Sequence, residues 1–280
     1  MTSIYRSRQG EAAVRRWCLD RLDRWQRPHE RAEFTAAGAR THVVTAGSGP
    51  VTVVHVPGTN FNAAVSLPLA EALCAAGHRV VLPDVPGQPG LSSGVRGPGS
   101  GRLSWYGEWL GEVLDTAGVG GAGGEGAVTV MGHSFGAAIA LSCPSLRAER
   151  LVLLSPGGFG RLRLTPRLLA ASAAWYLCPA PARSARLLRA MGAPGYVPRP
   201  DLVEWMTLVA RHARSSGAPG LAEARRRVSY QVVTGAHDTF LPPRRLGPAV
   251  RARLGTGLDV VADAGHLLVE ERPDLVAALV

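Results

Sequence analysis

Apolar and polar residues alternate along this chain with periods that predict helices and strands by turns. Between residues 11 and 26 the apolar positions fall on one helical face, which predicts an N-terminal helix that ends before Pro28. Runs with a strand-like pattern follow near 32–35, 41–45 and 51–56, separated by Gly/Ala turns. The third run is apolar almost throughout, as expected of a buried central strand.

The alternation continues to the end of the chain. We expect helices at 63–76, 104–117 (with Ser104 as its N-cap), 135–142, 244–253 and near 268–279. We expect further strands at 78–82, 127–131, 151–154, 230–234 and 258–261. Strands that alternate with helices predict an α/β fold with a mostly parallel central sheet flanked by helices.

One long segment interrupts this rhythm. Residues 157–227 contain helical pieces cut by prolines. In a parallel sheet, an insertion after a strand's carboxyl end lies over the ligand crevice. We therefore predict a helical lid at 157–227, between a first part of the core at 1–156 and a second part at 228–280.

Length and composition are compatible with one α/β domain carrying an insertion. The hydrophobic content is 46% and the mean hydropathy is +0.07. No apolar run is long enough to span a bilayer, and arginines occupy the N-terminal positions where a signal peptide is apolar. We therefore expect a cytoplasmic protein with no membrane partner. The cysteines contain no CxxC pair and are expected to be reduced thiols.

The charge pattern excludes several classes of protein. The net charge is +10, and all 31 basic residues are arginine. Because lysine is absent, the chain is neither a P-loop nucleotide-binding protein nor a pyridoxal-phosphate enzyme. The arginines are spread out, with short clusters such as 225–227, which favours a solvated surface over a nucleic-acid site. No HExxH or His-x-His motif is present, so we expect no metal and no cofactor.

Two stretches fit the pattern G-x-S-x-G. GLSSG at 90–94 lies in a Pro/Gly loop, whereas GHSFG at 132–136 lies between an apolar strand and an alanine-rich helix. A nucleophilic serine at such a turn takes a strained backbone conformation, and glycines on either side avoid clashes. The helix that begins there directs its first N–H groups toward developing negative charge. The pattern predicts that Ser134 is the nucleophile.

A nucleophilic serine needs an imidazole base and usually a carboxylate that orients it. On a sheet of this type the chain order is serine, acid, histidine. Asp238 follows one predicted strand and His266 follows the next, so these two are the predicted partners. Asp263 and His237 are the alternatives, but Asp263 shares the loop of His266 and His237 sits beside Asp238. For His133 we expect a structural role beside its strand.

Acyl transfer also needs donors for the tetrahedral oxygen. The backbone N–H of Phe135 is one candidate, and that of Thr59, in the VPGTN loop after the third strand, is the other. The alternative is that Pro57-Gly58 forms an ordinary turn. The glycine run at 118–123 matches a dinucleotide-binding pattern, but it precedes a strand instead of following one, so we interpret it as a loop.

Together, GHSFG, GAHD and AGH, with PGTN after the third strand and PDVPGQPGLS after the fourth, resemble the α/β-hydrolase superfamily from about residue 30 to the end. The N-terminal helix and SPGGFGR are similar to the carboxylesterase-like branch. The resemblance implies Ser134 as nucleophile, His266 as general base, Asp238 as its partner, and Thr59 and Phe135 as the oxyanion hole. Many relatives have His-Gly after the third strand, whereas this chain has Pro57-Gly58 with His55 two residues earlier. Placing the loop by His55 would shift the oxyanion donor.

We therefore expect a serine hydrolase that cleaves a carboxylic ester or lactone of a small, partly apolar molecule through an acyl-enzyme. A thioesterase or cyclase acting on an acidic acyl carrier protein is the first alternative, and a non-catalytic ligand-binding protein is the second. Five residues are predicted to contact the substrate, although for those in the insertion simple packing is an equal alternative: Phe61, Trp175, Tyr176, Trp205 and Met206.

Overall fold

In the computed structural model of the chain, the described residues form one sheet of eight strands. The structure describes residues 2–99, 101–118, 126–144, 148–160, 162–217, 220–222 and 228–280. The strands are β1 (His29–Ala36), β2 (Ala39–Ala46), β3 (Val51–Val56), β4 (Arg79–Pro83), β5 (Ala127–His133), β6 (Arg150–Leu154), β7 (Ser229–Gly235) and β8 (Asp259–Val261). Their order is β1-β2-β4-β3-β5-β6-β7-β8. The β1–β2 and β2–β4 pairs are antiparallel and every other pair is parallel, which confirms the mostly parallel sheet.

The helices connect these strands and cover both faces of the sheet. They are α1 (Arg8–Asp23), α2 (Leu67–Ala75), α3 (Arg102–Thr116), α4 (Phe135–Ser142), α5 (Pro166–Leu177), α6 (Pro181–Met191), α7 (Pro200–His212), α8 (Pro243–Leu254), α9 (Leu268–Glu271) and α10 (Pro273–Ala277). Within the described ranges, none of them combines the length and the apolarity that a bilayer-spanning segment requires.

Two apolar cores lie on opposite faces of the sheet. The first contains α1, α2 and α10, and the second contains α3, α4 and α8. The residues of β6 show the division: Val152 and Leu154 belong to the first core, whereas Leu151 and Leu153 belong to the second. This alternation follows from the two-residue period of a strand, and β6 is apolar on both faces because helices cover both.

The parallel strands bring the loops of the site to one edge of the sheet. Val56 at the end of β3 pairs with Gly132 of β5, and Leu154 at the end of β6 pairs with His133. Between β6 and β7 the chain forms α5, α6 and α7, which pack on one another, and α7 also packs on α1. We call these three the inserted helices; their function as a lid remains a prediction.

The structure differs from the sequence predictions at several helix ends. The first helix begins at Arg8, where the Ser7 hydroxyl accepts a bond from the Gly10 amide, and it ends at Asp23. Ser104 does not cap α3, because the helix begins two residues earlier, after Gly101, with Leu103 packed on the core.

The last predicted helix is two helices, α9 and α10. Arg272 leaves the helical conformation, with φ −140° and ψ 54°, because it precedes Pro273. Most of the glycine run at 118–123 lies outside the described residues, and the arginine cluster at 225–227 lies wholly outside them.

Candidate active site

Ser134 lies at the sharp turn between β5 and α4. Its φ is 50° and its ψ is −108°, a conformation that costs energy for any residue with a side chain. A Cβ at Gly132 would lie 2.6 Å from the Ala137 Cα, and one at Gly136 would lie 2.0 Å from the Val56 carbonyl oxygen. Only glycine fits at either position, so the local sequence is what allows the serine to stand out from the turn.

Three predicted residues meet in a chain of hydrogen bonds. The Ser134 hydroxyl donates to Nε2 of His266 at 3.0 Å, and Nδ1 of His266 donates to Oδ2 of Asp238 at 2.8 Å. His266 is 6% exposed and Asp238 is 3% exposed, so water competes little for either bond. The three residues follow β5, β7 and β8, whose carboxyl ends lie at the same edge of the sheet.

The Asp238 carboxylate is held ionised in this position. Burial alone would raise its pKa, but the charge and hydrogen bond of His266 and the Leu241 amide keep the pKa below its ordinary value. Its Oδ1 accepts N–H bonds from Phe240 at 2.9 Å and Leu241 at 2.8 Å, and the Thr234 hydroxyl donates to Oδ2 at 3.3 Å. A carboxylate fixed in this way selects the tautomer of His266 that carries its proton on Nδ1.

His133 binds the backbone of His266. Its Nε2 lies 2.8 Å from the carbonyl oxygen of His266, so Nε2 carries a proton and donates it to that oxygen. Burial and the nearby charge of His266 lower the pKa of His133 to about 3, and the ring stays neutral. The sequence prediction of a structural role beside the strand did not include this contact.

Glu271 was missed by the sequence analysis. Its carboxylate accepts the Gly265 N–H at 2.9 Å and the Ala193 N–H at 2.7 Å. The His266 N–H donates to the Met191 carbonyl at 2.8 Å. These bonds join the loop of His266 to the end of α6. The only signal in the sequence was a glutamate five residues after the histidine.

One predicted oxyanion donor, Phe135, directly follows Ser134, and the other, Thr59, lies in the loop after β3. Phe135 is the first residue of α4, and the first amides of a helix have no acceptor one turn earlier. In the loop after β3, the Asn60 amide bonds to Gln88 at 3.0 Å and the Phe61 amide bonds to the Gly58 carbonyl at 3.0 Å. The amides of Asn60 and Phe61 are therefore engaged in these bonds, and Thr59 stays the predicted donor of this loop.

His55, by which the alternative alignment would place the loop, lies in β3 and not in the loop that follows it. It is 1% exposed and paired with Met131. Placement of the loop by Gly58 stays the prediction, and a Cβ at Gly58 would lie 2.9 Å from Nδ1 of His133.

A cavity of about 420 Å³ opens onto Ser134 and His266. Three of the predicted contact residues, Phe61, Trp175 and Met206, line it, and so does Thr59. The remaining described walls are mainly apolar: Leu162, Leu164, Leu187, Met191, Phe240 and Leu267. Such walls favour an apolar ligand with few polar groups.

The structure does not bring Tyr176 and Trp205 to the described wall of this cavity. Trp205 is fully buried against Trp17, with ring centroids 4.8 Å apart, and its indole N–H donates to the Asn60 carbonyl at 2.7 Å. The guanidinium carbon of Arg6 lies 4.6 Å from the centroid of the Tyr176 ring. Both side chains are used in packing within the protein, an arrangement that residue type alone does not reveal.

The alternative site residues considered in the sequence, Asp263, His237 and Ser92, do not join the hydrogen-bonded chain of Ser134, His266 and Asp238. Asp263 is exposed and pairs with Arg272, and His237 is exposed in a separate groove. Ser92 of the second G-x-S-x-G stretch is buried, and its hydroxyl donates to the Asp84 carbonyl at 2.6 Å. In the part of the chain that the structure describes, no three His, Cys, Asp or Glu side chains are grouped so that they could hold a metal ion.

A family model described as the alpha/beta hydrolase family matches residues 53–279. The chain belongs to the alpha/beta hydrolase family. It is therefore a hydrolase with this family's fold. Comparison with curated protein sequences gives no match.

Solved structures similar to this alpha/beta hydrolase include two carboxylesterases of Bacillus subtilis. Carboxylesterase CesB is 18% identical, with a TM-score of 0.75 and coverage of 97% of this chain and 96% of that one. Naproxen esterase (carboxylesterase NP) is 19% identical, with a TM-score of 0.73 and 94% of each chain covered. At these identities the likeness establishes the fold alone.

Proposed function

We propose that this alpha/beta hydrolase cleaves a carboxylic ester, or a lactone, of a small and partly apolar molecule through an acyl-enzyme intermediate. The observation that carries the proposal is the chain of hydrogen bonds from Ser134 through His266 to Asp238, at 3.0 and 2.8 Å, opening into an apolar cavity. This arrangement matches the requirement for an activated nucleophile, in which a base is within reach and is itself oriented by a third group.

Acylation begins when Ser134 Oγ attacks the ester carbonyl carbon and Nε2 of His266 accepts the hydroxyl proton. Asp238 stabilises the imidazolium that forms. The carbonyl oxygen becomes an oxyanion, which accepts hydrogen bonds from the amides of Thr59 and Phe135. His266 then gives its proton to the leaving alcohol oxygen as the carbon–oxygen bond breaks.

Deacylation repeats these steps with water. His266 removes a proton from a water molecule as the water oxygen attacks the acyl carbon, and the second tetrahedral intermediate uses the same two amides. The proton then passes to Ser134 Oγ, which leaves as the free hydroxyl, and the carboxylic acid departs.

The walls of the cavity support a partly apolar substrate. A volume of about 420 Å³ lies at the lower end of the range for small-molecule sites. Phe61, Trp175 and Met206 offer apolar surface to one part of the substrate, and the reacting carbonyl lies toward the polar end at Ser134. The names of the two similar Bacillus subtilis structures, both carboxylesterases, agree with an ester substrate.

The test is intact-mass labelling by a fluorophosphonate, together with hydrolysis of a short-chain aryl ester. We expect one adduct that maps to Ser134. The Ser134→Ala variant should show no adduct, and its kcat should fall by about 10⁴-fold or more, because the nucleophile is removed while the oxyanion donors remain.

Ser92→Ala is the matched control, since Ser92 occupies the other G-x-S-x-G stretch and should not affect labelling. An adduct at another residue, or none on folded wild type, would contradict the proposal. Turnover of acyl thioesters without hydrolysis of oxygen esters would instead favour a thioesterase acting on a carrier protein.

A further inference from the structure

The segment that contains α5 and α6 carries an unusual charge balance. Residues 161–200 contain seven arginines and no aspartate or glutamate, which accounts for most of the net charge of +10. Arg199 is half-buried and pairs with Glu270 at 2.8 Å. Within the described residues, the structure records no ion pair to a carboxylate for five of the others: Arg163, Arg167, Arg183, Arg186 and Arg189.

Helix α5 presents an apolar stripe to solvent. Its exposed apolar residues are Pro166, Leu169, Ala170, Ala173 and Leu177. At about 100° per residue these positions fall within roughly 100° of the helix surface. Leu169 is 48% exposed and Leu177 is 75% exposed. The opposite side of α5 is also apolar and is packed on the protein, and a helix that is apolar all round is normally covered on both sides.

Guanidinium groups border the stripe at both ends. At one end Arg183 Nη1 donates to the carbonyl of Cys178, the residue directly after Leu177, at 2.6 Å. At the other end Arg167 and Arg189 line one groove beside Val197, which is 79% exposed. Arg186 is exposed on α6, three residues from both Arg183 and Arg189 and so on the same side of the helix. We call this combined surface, the α5 stripe with Arg167, Arg183, Arg186 and Arg189, the arginine–leucine face.

We propose that the arginine–leucine face docks on an anionic lipid surface. Leucines that project from a helix lying in the membrane interface enter the boundary of the acyl chains, while arginines bind the negatively charged headgroups. A lipid surface offers both chemistries side by side and requires no complementary groove. A two-fold contact between copies of this chain is disfavoured, because it would bring the same arginines of both copies together.

This contact would place the candidate active site at the lipid surface. Leu164, 54% exposed, lines the cavity and lies two residues before α5, and Ser172 and Trp175 of α5 also line it. An ester held in the lipid layer would then lie at the mouth of the cavity. Docking goes beyond the proposed function, and its test needs no turnover. It departs from the expectation of no membrane partner, which rested on the absence of a spanning segment.

The experiment measures co-sedimentation of the full chain with vesicles. Pure phosphatidylcholine vesicles are compared with vesicles in which about one third of the lipid is phosphatidylglycerol, at low and high salt. We expect binding to the anionic vesicles that weakens with salt, because the headgroup potential is screened. The charge variant Arg183→Gln with Arg186→Gln should bind the anionic vesicles at least about tenfold more weakly than wild type. Leu169→Ser with Leu177→Ser should also weaken binding. High salt should then remove the remaining binding of this variant, because only the attraction of its arginines to the headgroups is left.

The matched control is Arg244→Gln with Arg251→Gln, which removes the same charge from exposed positions of α8. It should bind like wild type, as should Ser134→Ala, and all the surface variants should keep wild-type hydrolysis of a soluble short-chain ester.

Equal loss of binding in the α8 control, or equal binding to both vesicle types, would overturn the proposal. Loss of a dimer in the leucine variant without any vesicle binding would assign the face to contact between copies. Arginine-dependent binding of an acyl carrier protein without vesicle binding would assign it to an acidic protein. If the charge and leucine variants lose vesicle binding as expected but wild type hydrolyses no ester, the result would contradict the proposed function and not the docking.

Discussion

Ser134 depends on two glycines whose positions tolerate no side chain. A Cβ at Gly136 would lie 2.0 Å from the Val56 carbonyl oxygen, which is backbone of the central strand and cannot move aside. We expect Gly136→Ala to destabilise the fold by about 3 kcal/mol or more and to abolish fluorophosphonate labelling. Urea unfolding and intact mass measure the two effects.

Gly160→Ala is the control, since an added Cβ there meets nothing within 4 Å. It should keep wild-type stability to within about 0.5 kcal/mol. Normal labelling of Gly136→Ala would mean that the turn does not position the serine in the way described.

At the residue scale, the motifs were sufficient to select Ser134, Asp238 and His266. Each belongs to a short pattern next to a recognisable strand, and the chain order restricts the choice. The contacts of His133 and Glu271 were not predictable. Their partners are backbone groups of distant loops, and a backbone group leaves no signature in the sequence.

At the element scale, α7 holds the loop that carries the predicted oxyanion donor. The Trp205 indole donates to the Asn60 carbonyl at 2.7 Å, directly after Thr59, and Asn60 has a φ of 65°. We expect Trp205→Phe to lower kcat about tenfold to a hundredfold with a smaller change in KM, because a displaced amide stabilises the oxyanion less. Steady-state kinetics on an aryl ester measure both constants.

Trp105→Phe provides a matched control on α3. Trp105 is 1% exposed and donates to the Ala37 carbonyl at 3.1 Å, so the same substitution removes the same kind of bond from a carbonyl outside the loop. Both variants should lose similar stability, but Trp105→Phe should keep its kcat. Equal kinetic effects in the two variants would show that Trp205 acts only through packing.

Element positions were mostly predictable, and the errors have local causes. Periodicity located the strands and the central helices, because each buries one face or both. It failed at Ser104, where packing of Leu103 extends the helix upstream, and at Arg272, where the following proline breaks it. It could not separate cavity walls from packing in the inserted helices, so Tyr176 and Trp205 were assigned to the substrate.

At the scale of the whole molecule, two neutral histidines buried under the site make the fold sensitive to acid. Burial, with the charge of His266 as well for His133, lowers the pKa of His55 to about 4 and that of His133 to about 3, from 6.5. The unfolded chain therefore binds more protons below pH 6.5, and stability falls as the pH falls. Between pH 7 and pH 5, each histidine should lower the free energy of unfolding by about 2 kcal/mol.

Urea unfolding at pH 7 and pH 5 measures this loss. In His133→Gln, whose amide can still donate to the His266 carbonyl, the loss between the two pH values should be about 2 kcal/mol smaller than in wild type. An identical pH dependence in the two proteins would show that His133 is not the group that titrates.

The sequence by itself determined the α/β class, the order of strands and helices, and the three residues of the hydrogen-bonded chain. These features depend on local periodicity and on short motifs, which neighbouring residues encode. Only the tertiary structure decided which side chains of the inserted helices face the cavity, that Trp205 and Glu271 hold the loops of the site, and that exposed leucines lie beside arginines on α5 and α6. Such features arise where segments far apart in the chain pack together, and burial and partner geometry at those contacts are properties of the fold and not of any one stretch of sequence.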